Sequence, residues 1–423
     1  MINNNPAKVT GLYLERDIEV KLNKYIKTKE ILAVIGPRQV GKSTILNKLY
    51  ETLEKKSVFL NFEDKAILNI FQDDIEAFKK IYVNPNEVVF IDEVQYAKEA
   101  GQKLKYLYDT TGKKFIVSGS SSLEIRSMGK FLVGRIFNFY LSPLNFSEFL
   151  KYKDIQIFDL YNSTSNNLEV SSSNEIKKTV LNFFEEYLIY GGFPRVVLAK
   201  SLDEKEMALG SIIDNYLLKE IRTLLKLASE DQLLKLTKLL SLQVGNLISY
   251  NELSSSTGLS LIELKKHLNI LKETYILDLV KPYFNNKRIE LVKNPKPYFI
   301  DTGMRNKIID NFSKVGQRTD MGQLAENYVF QVLRQNFPYP KSINFWRTKS
   351  KAEVDFVIED KGEIIPIEVK YSTLGNTVVG KSMHSFIEKY SPKKAIITTT
   401  GEAMIKKIKN TKVYFTPIYL LKF

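Results

Sequence analysis

The apolar run Ile31-Leu32-Ala33-Val34-Ile35 passes directly into Gly36-Pro37-Arg38-Gln39-Val40-Gly41-Lys42-Ser43 and then into Thr44-Ile45-Leu46-Asn47-Lys48-Leu49. The pattern predicts a strand, a phosphate-cradling loop and a helix. Gly36 and Gly41 let the loop curl so that its backbone N–H groups converge on a phosphate at the helix amino terminus. Lys42 reaches the β- and γ-phosphate oxygens, and Ser43 binds Mg²⁺. Residues Gly36 to Thr44 are therefore the expected cradle of a nucleoside triphosphate. ATP is the expected nucleotide; no NKxD-type guanine motif presents itself, although that alone does not separate ATP from GTP.

A second apolar run, Val88-Val89-Phe90-Ile91, ends in Asp92-Glu93. At a strand end, Asp92 can hold the magnesium ion and Glu93 can polarise an attacking water, which points to hydrolysis; the competing reading is a solvated pair of acids. The strand around Phe115-Ile116-Val117 leads into Ser118-Gly119-Ser120-Ser121, which puts small hydroxyl side chains, Ser118 first among them, beside the same sheet edge; such a residue either senses the γ-phosphate or orients the water, or the run is a plain turn. Arg135, after Gly134, is either the cation that stabilises transferring phosphate, in cis or across a subunit boundary, or one half of a surface salt bridge.

At 423 residues the chain is long enough for two to four domains. Its 62 Lys and Arg against 48 Asp and Glu give a net charge of +14, which favours a polyanionic partner such as DNA. The absence of cysteine excludes disulfides, thiolate catalysis and cysteine-ligated zinc; with only two histidines, a His-rich metal centre is not expected either. The polar start does not resemble a signal peptide and no apolar run approaches a membrane span, so a cytoplasmic protein without membrane contact is expected.

Strands alternate with helices over 1–160, as a parallel sheet covered on both faces requires. Polar segments around Asn162 to Asn167 and Ser171 to Asn174 read as a linker or insertion. A mainly helical region follows to about 240, with a sharp Gly191-Gly192-Phe193-Pro194 turn suited to a lid. Over 241–295, the helix Leu261 to Leu271 after a Gly258 turn suggests a winged helix. Lys265, Lys266, His267 and Lys272 lie on or near its recognition helix, and strands at Tyr275 to Val280 and Lys287 to Leu291 supply the wing. Such a module serves either DNA reading or domain packing.

Within 296–423, Glu326 lies in an expected helix, Asp355 in the strand Ala352 to Ile358, and Glu368 and Lys370 in the strand Ile364 to Lys370. Residues i and i+2 of a strand share a face, which brings Glu368 and Lys370 together with Asp355 beside them. Such a set suits metal-assisted phosphodiester hydrolysis, with Asp355 and Glu368 on Mg²⁺, Lys370 on the water and Glu326 completing the metal shell. The competing readings are a salt-bridge cluster and a nuclease-like fold without catalysis.

With these residues in hand, the chain resembles the prokaryotic AAA-type ATPases that join a phosphate-loop domain to a carboxy-terminal domain of unknown function with a restriction-endonuclease-like core. The resemblance runs through Gly36 to Ser43, Phe90 to Glu93, Val117 to Ser120, Gly134-Arg135, Leu144 to Phe149, Tyr190 to Pro194, Asp301-Thr302-Gly303 and the Asp355, Glu368, Lys370 set. It implies an α/β protein: a P-loop NTPase parallel-sheet domain, a helical lid, a winged helix and an α/β restriction-endonuclease-like domain. The expected function is an ATPase whose nucleotide state controls a DNA-directed nuclease. The alternative is a nucleotide-driven switch that binds DNA or a protein partner without cutting, and a homo-oligomer fits both.

Overall fold

The computed structural model describes residues 13–120, 129–166, 174–214, 231–283, 294–371 and 378–423. They fall into two compact units, Met1–Pro143 with Glu273–Tyr275, and Leu144–Lys272 with Ile276–Phe423. No helix among the described residues is long and apolar enough to cross a membrane.

In the first unit, β1 (Ile31–Ile35), β2 (Ser57–Asn61), β3 (Val88–Asp92), β4 (Lys114–Gly119) and β5 (Ile136–Tyr140) form a parallel sheet in the order β2-β3-β4-β1-β5. β1 and β3 are buried along their whole length, as parallel strands with both faces covered must be. Burying Ile31, Leu32, Val34 and Ile35 contributes about 6–12 kcal/mol of transfer free energy, enough to fix β1 as a central strand. The helices Lys42–Thr52 and Ala100–Thr111 lie among the crossovers. Because β4 separates β1 from β3, the carboxyl ends of all three stand side by side, which is where open α/β sheets bind ligands. β5 was not anticipated from the sequence; it extends the sheet beyond β1, with Ile31 beside Ile136 and Ile35 beside Tyr140.

In the second unit, β6 (Leu277–Pro282), β7 (Lys296–Phe299), β8 (Ile343–Arg347), β9 (Glu353–Asp360), β10 (Glu363–Glu368), β11 (Lys394–Thr399), β12 (Met404–Ile408) and β13 (Thr411–Pro417) form a mixed sheet ordered β12-β13-β11-β10-β9-β8-β6-β7. The Lys381–Tyr390 helix packs Met383, Phe386 and Ile387 on Trp346, Val354, Ala395 and Val413. This sheet runs across the expected boundary near 295, with β6 before it and β7 after it. β6, read from the sequence as part of a wing, pairs in parallel with β8 and carries β7 on its other edge. The other expected wing strand, Lys287 to Leu291, lies outside the described residues, as do Asn167 and Ser171 to Ser173 of the polar segments and Ser121.

The Gly191-Gly192 turn, expected as a lid hinge, is clamped inside the second unit. Asp301 caps the helix Thr302–Ile308 through the Met304 N–H and also accepts the Gly192 N–H at 2.8 Å. Asn306 donates to the carbonyls of Leu188 and Ile189, and Thr302 to that of Tyr187. The Asn306 bonds satisfy carbonyls that the end of the Asn174–Tyr190 helix would otherwise leave open, whereas that of Tyr187 also accepts the Gly191 N–H at 2.8 Å. Gly191 turns at φ +75°, and a Cβ on Gly303 would overlap the Tyr190 carbonyl.

Candidate functional site

In the phosphate loop, Gln39 at φ +62° and Gly41 at φ +99° adopt left-handed backbone, which turns successive N–H groups toward one concave surface. The loop ends in the Lys42–Thr52 helix, whose first turn has no side-chain cap. Lys42 is buried beneath the loop and donates to the carbonyls of Gly36 and Pro37 at 3.1 and 2.7 Å. Arg16, which no motif singles out, braces the loop by donating to the Val40 and Ser142 carbonyls at 3.0 and 2.7 Å. Arg38 reaches the Tyr96 hydroxyl at 3.0 Å.

Asp92, at the end of β3, is hydrogen-bonded to the hydroxyls of Ser118 and Ser43. Burial pushes its carboxyl above the ordinary aspartate range, and the two hydroxyls pull it back. A carboxylate and a hydroxyl meeting at a phosphate loop are hard oxygen ligands that fit Mg²⁺. Ser118 is committed to Asp92 and to the Glu93 backbone N–H, 3.2 Å away, so it positions these acids rather than standing free as a phosphate sensor.

Glu93 occupies left-handed backbone, φ +56° and ψ +45°, a conformation of about 1–3 kcal/mol cost that surrounding contacts must hold. Gln95 donates to its Oε2, as does Ser120 at 3.0 Å. The sequence singles out the hydroxyls of Ser118 to Ser121 as a group, Ser120 among them, but assigns Gln95 no role. Gln95 follows Glu93 by two positions, but only the short 3₁₀ turn Val94–Tyr96 folds it back onto the carboxylate.

Arg135 lies just before β5, next to Ile31 at the amino end of β1, whereas the phosphate loop leaves the carboxyl end of that strand. The five-residue length of β1 separates them by roughly 16 Å. This corrects the expectation of a role in cis. The guanidinium instead pairs with Asp109, at 2.8 Å from Nε and 3.3 Å from Nη2, on partly exposed surface.

The expected recognition helix exists as Leu261–Glu273 with Lys265 and Lys266 exposed. Its two other expected contacts are spent inside the fold. His267 is 2% exposed, with Nδ1 donating to the Glu263 carbonyl, and Lys272 pairs with Asp278.

In the second unit, Asp355 comes from β9, and its Oδ2 accepts the Val369 N–H at 2.7 Å. Glu368 ends β10, so Lys370 lies two residues beyond the strand expected to contain it, yet its Nζ still meets Glu368 Oε1 at 3.2 Å. Glu368 Oε2 is buried without a hydrogen-bond partner. Burial, with the Glu326 charge adding to it, drives the Asp355 carboxyl well above its ordinary range. Two carboxylates, one with a free buried oxygen, fit a magnesium ion that keeps several waters. Among the described residues no group of three or more acidic or histidine side chains is gathered for a metal. That corrects the expectation for Glu326: its Oε1 accepts from the Tyr298 hydroxyl and lies 3.4 Å from Lys296 Nζ.

Lys296, Tyr298 and Glu353 are the site residues that sequence reasoning missed. The i, i+2 spacing of Lys296 and Tyr298 was the available signal, since both project from one face of β7.

Residues 28–150 match the family model of an AAA domain, and residues 181–315 and 321–421 match two domains of unknown function. An uncharacterized protein of Methanocaldococcus jannaschii is 26% identical over 353 residues, spanning 82% of this chain and 75% of that one. An uncharacterized protein of Haemophilus influenzae is 25% identical over 405 residues, spanning 91% and 92%. Among solved structures, RuvB of Thermotoga maritima aligns over 66% of this chain and 93% of its own at 14% identity and TM-score 0.31. A signal-transduction ATPase with numerous domains from Pyrococcus horikoshii aligns over 79% of this chain at 13% identity and TM-score 0.28, and the chain spans 47% of that protein. The family match supports an AAA-type ATPase domain in the first unit and gives the second no assigned activity.

Proposed function

We propose that the first unit binds and hydrolyses ATP with Mg²⁺. The observation that carries this reading is the meeting of Ser43 and Asp92 at the carboxyl ends of β1 and β3, with Glu93 held one residue further on. When bound, Mg²⁺ neutralises charge on the β- and γ-phosphate oxygens. Lys42 would exchange its bonds to Gly36 and Pro37 for the phosphates, Ser43 and Asp92 would hold the ion, and the curled backbone from Pro37 to Gly41 would cradle the phosphate chain. Glu93 accepts hydrogen bonding from the attacking water and fixes its direction, while Gln95 and Ser120 hold the carboxylate against rotation. Arg135 acts on a neighbouring copy, supplying charge to a transition state it cannot reach within its own chain.

The test is ATP binding and turnover in two variants. Lys42→Ala should lose tight nucleotide binding because a charge-assisted contact is removed. Glu93→Gln should still bind ATP but hydrolyse it about 10²-fold or more slowly. Wild-type turnover in Glu93→Gln would sink the assignment.

A second reading concerns the other unit and rests on the free buried oxygen of Glu368 beside Lys370 and Asp355. Asp355 and Glu368 would hold a divalent cation there, and Lys370 would orient a water toward a nucleic-acid phosphodiester. The net charge of +14 and the exposed Lys265 and Lys266 favour DNA as the polyanion. Cleavage of DNA and RNA in Mg²⁺, compared between wild type, Asp355→Ala and Lys370→Ala, decides the matter. No cleavage by wild-type protein that hydrolyses ATP normally would leave a nucleotide-driven switch.

A further inference from the structure

The carboxylates around the second-unit site are not equivalent. Glu353 has both oxygens engaged, Oε1 at 2.5 Å from Lys296 Nζ and Oε2 at 2.8 Å from Arg347 Nη1. Glu326 has Oε1 between Lys296 and the Tyr298 hydroxyl. Glu368 alone of the set combines a lysine contact with a buried oxygen that has no partner.

Lys296 is the pivot of this asymmetry. Its side chain is 1% exposed, so its charge must be met inside the protein. Burial opposes the ammonium, yet the charges of Glu326, Asp355 and Glu353 more than offset that cost and raise its pKa above that of an ordinary lysine. The Phe345 ring lies 5.2 Å from Nζ, adding a face of negative potential.

We propose that Lys296 is a resident cation of this cluster, its ammonium taking the place that a second metal ion would fill, so that the site accepts one divalent cation, between Asp355 and Glu368, and not a pair. The single-cation part rests on the second reading above; the role of Lys296 does not. Mg²⁺ is held by as few as one or two protein carboxylates, so Asp355 and Glu368 suffice for one ion. Replacing Lys296 with a neutral side chain leaves Glu326, Glu353 and Asp355 facing one another without the ammonium, which is the charge density that draws in a divalent ion.

The test uses nucleotide-free, full-length protein carrying Asp92→Asn, so that the phosphate-loop carboxylate does not contribute, with Mn²⁺ as the probe and free Mn²⁺ read by electron paramagnetic resonance. The expected result is one bound ion with Lys296 intact, none after Glu368→Ala, and one more than the parent after Lys296→Met. Thermal denaturation should show Lys296→Met stabilised by excess Ca²⁺ far more than the parent. No gain of an ion and no Ca²⁺ dependence in Lys296→Met, or two ions at the parent cluster, overturns the proposal. No ion with Lys296 intact but one gained in Lys296→Met sinks the Asp355 and Glu368 reading while upholding the resident cation. If Lys296→Met fails to fold even in Ca²⁺, Lys296→Met/Glu326→Gln, which removes opposite charges together, should fold; failure of that variant too overturns the proposal.

Discussion

The Asp301 carboxylate accepts the Gly192 N–H at 2.8 Å and the Met304 N–H at 2.9 Å, binding a glycine turn to the start of a helix more than a hundred residues later. Burial raises its pKa to about 6, against three backbone N–H groups that favour the ionised form. The unfolded chain titrates this group near 4. Between about pH 4 and 6 the folded state therefore binds the proton more tightly, and the stability from this group, complete below pH 4, is lost as pH rises through 6. The difference is of order 3 kcal/mol. Asp301→Asn should flatten that decline, as measured by urea midpoints across the same window; an unchanged slope would remove Asp301 as its source.

The same junction predicts a steric effect. In Gly303→Ala the new methyl would meet the Tyr190 carbonyl, a backbone atom that cannot swing aside. Destabilisation of about 3 kcal/mol or more is expected in denaturant unfolding. Gly316→Ala, whose Cβ meets nothing within 4 Å, should stay within about 0.5 kcal/mol of wild type.

If Gln95 and Ser120 act by orienting Glu93, Gln95→Ala and Ser120→Ala should each lower kcat by about tenfold with little change in the ATP dissociation constant. Combined with Glu93→Gln, neither should lower the rate much further, because the carboxylate they orient is already gone. Full additivity in the double variants would show that they act elsewhere.

Arg135→Ala should lower turnover while leaving ATP affinity nearly unchanged, since the contact forms in the transition state. Mixing it with Glu93→Gln protein should restore activity, because a mixed interface pairs an intact Glu93 with an intact Arg135. A mixture no more active than its components, from protein that remains monomeric with ATP, would leave Arg135 as the partner of Asp109 and nothing more.

DNA affinity should fall steeply with salt, and Lys265→Ala/Lys266→Ala should weaken it and reduce the salt slope by up to about 2. His267→Ala should instead lower stability and leave the salt slope alone, because that ring is buried. Binding that ignores salt would exclude an electrostatic interface.

Much of the first site was legible in the linear sequence because its parts are local. A buried parallel strand is a continuous apolar run, and a phosphate loop fits within eight residues, so Lys42, Ser43, Asp92 and Glu93 announced themselves by type and order. The sequence also carried Asp355, Glu368 and Lys370 through short spacing, although Lys370 reaches Glu368 from beyond the strand rather than along it. What the sequence could not determine is which distant groups share a charge. Lys296 and Glu353 are 57 positions apart, and only the sheet brings ammonium and carboxylate together. Asp301 reads as an ordinary helix cap until the fold sets Gly192 against it. Arg135 stands only 17 positions beyond Ser118 in the chain, but a parallel strand must begin at the edge of the sheet opposite the one where its neighbour ends. That geometry belongs to the tertiary structure, and it sets Arg135 apart from its own chain's phosphate loop.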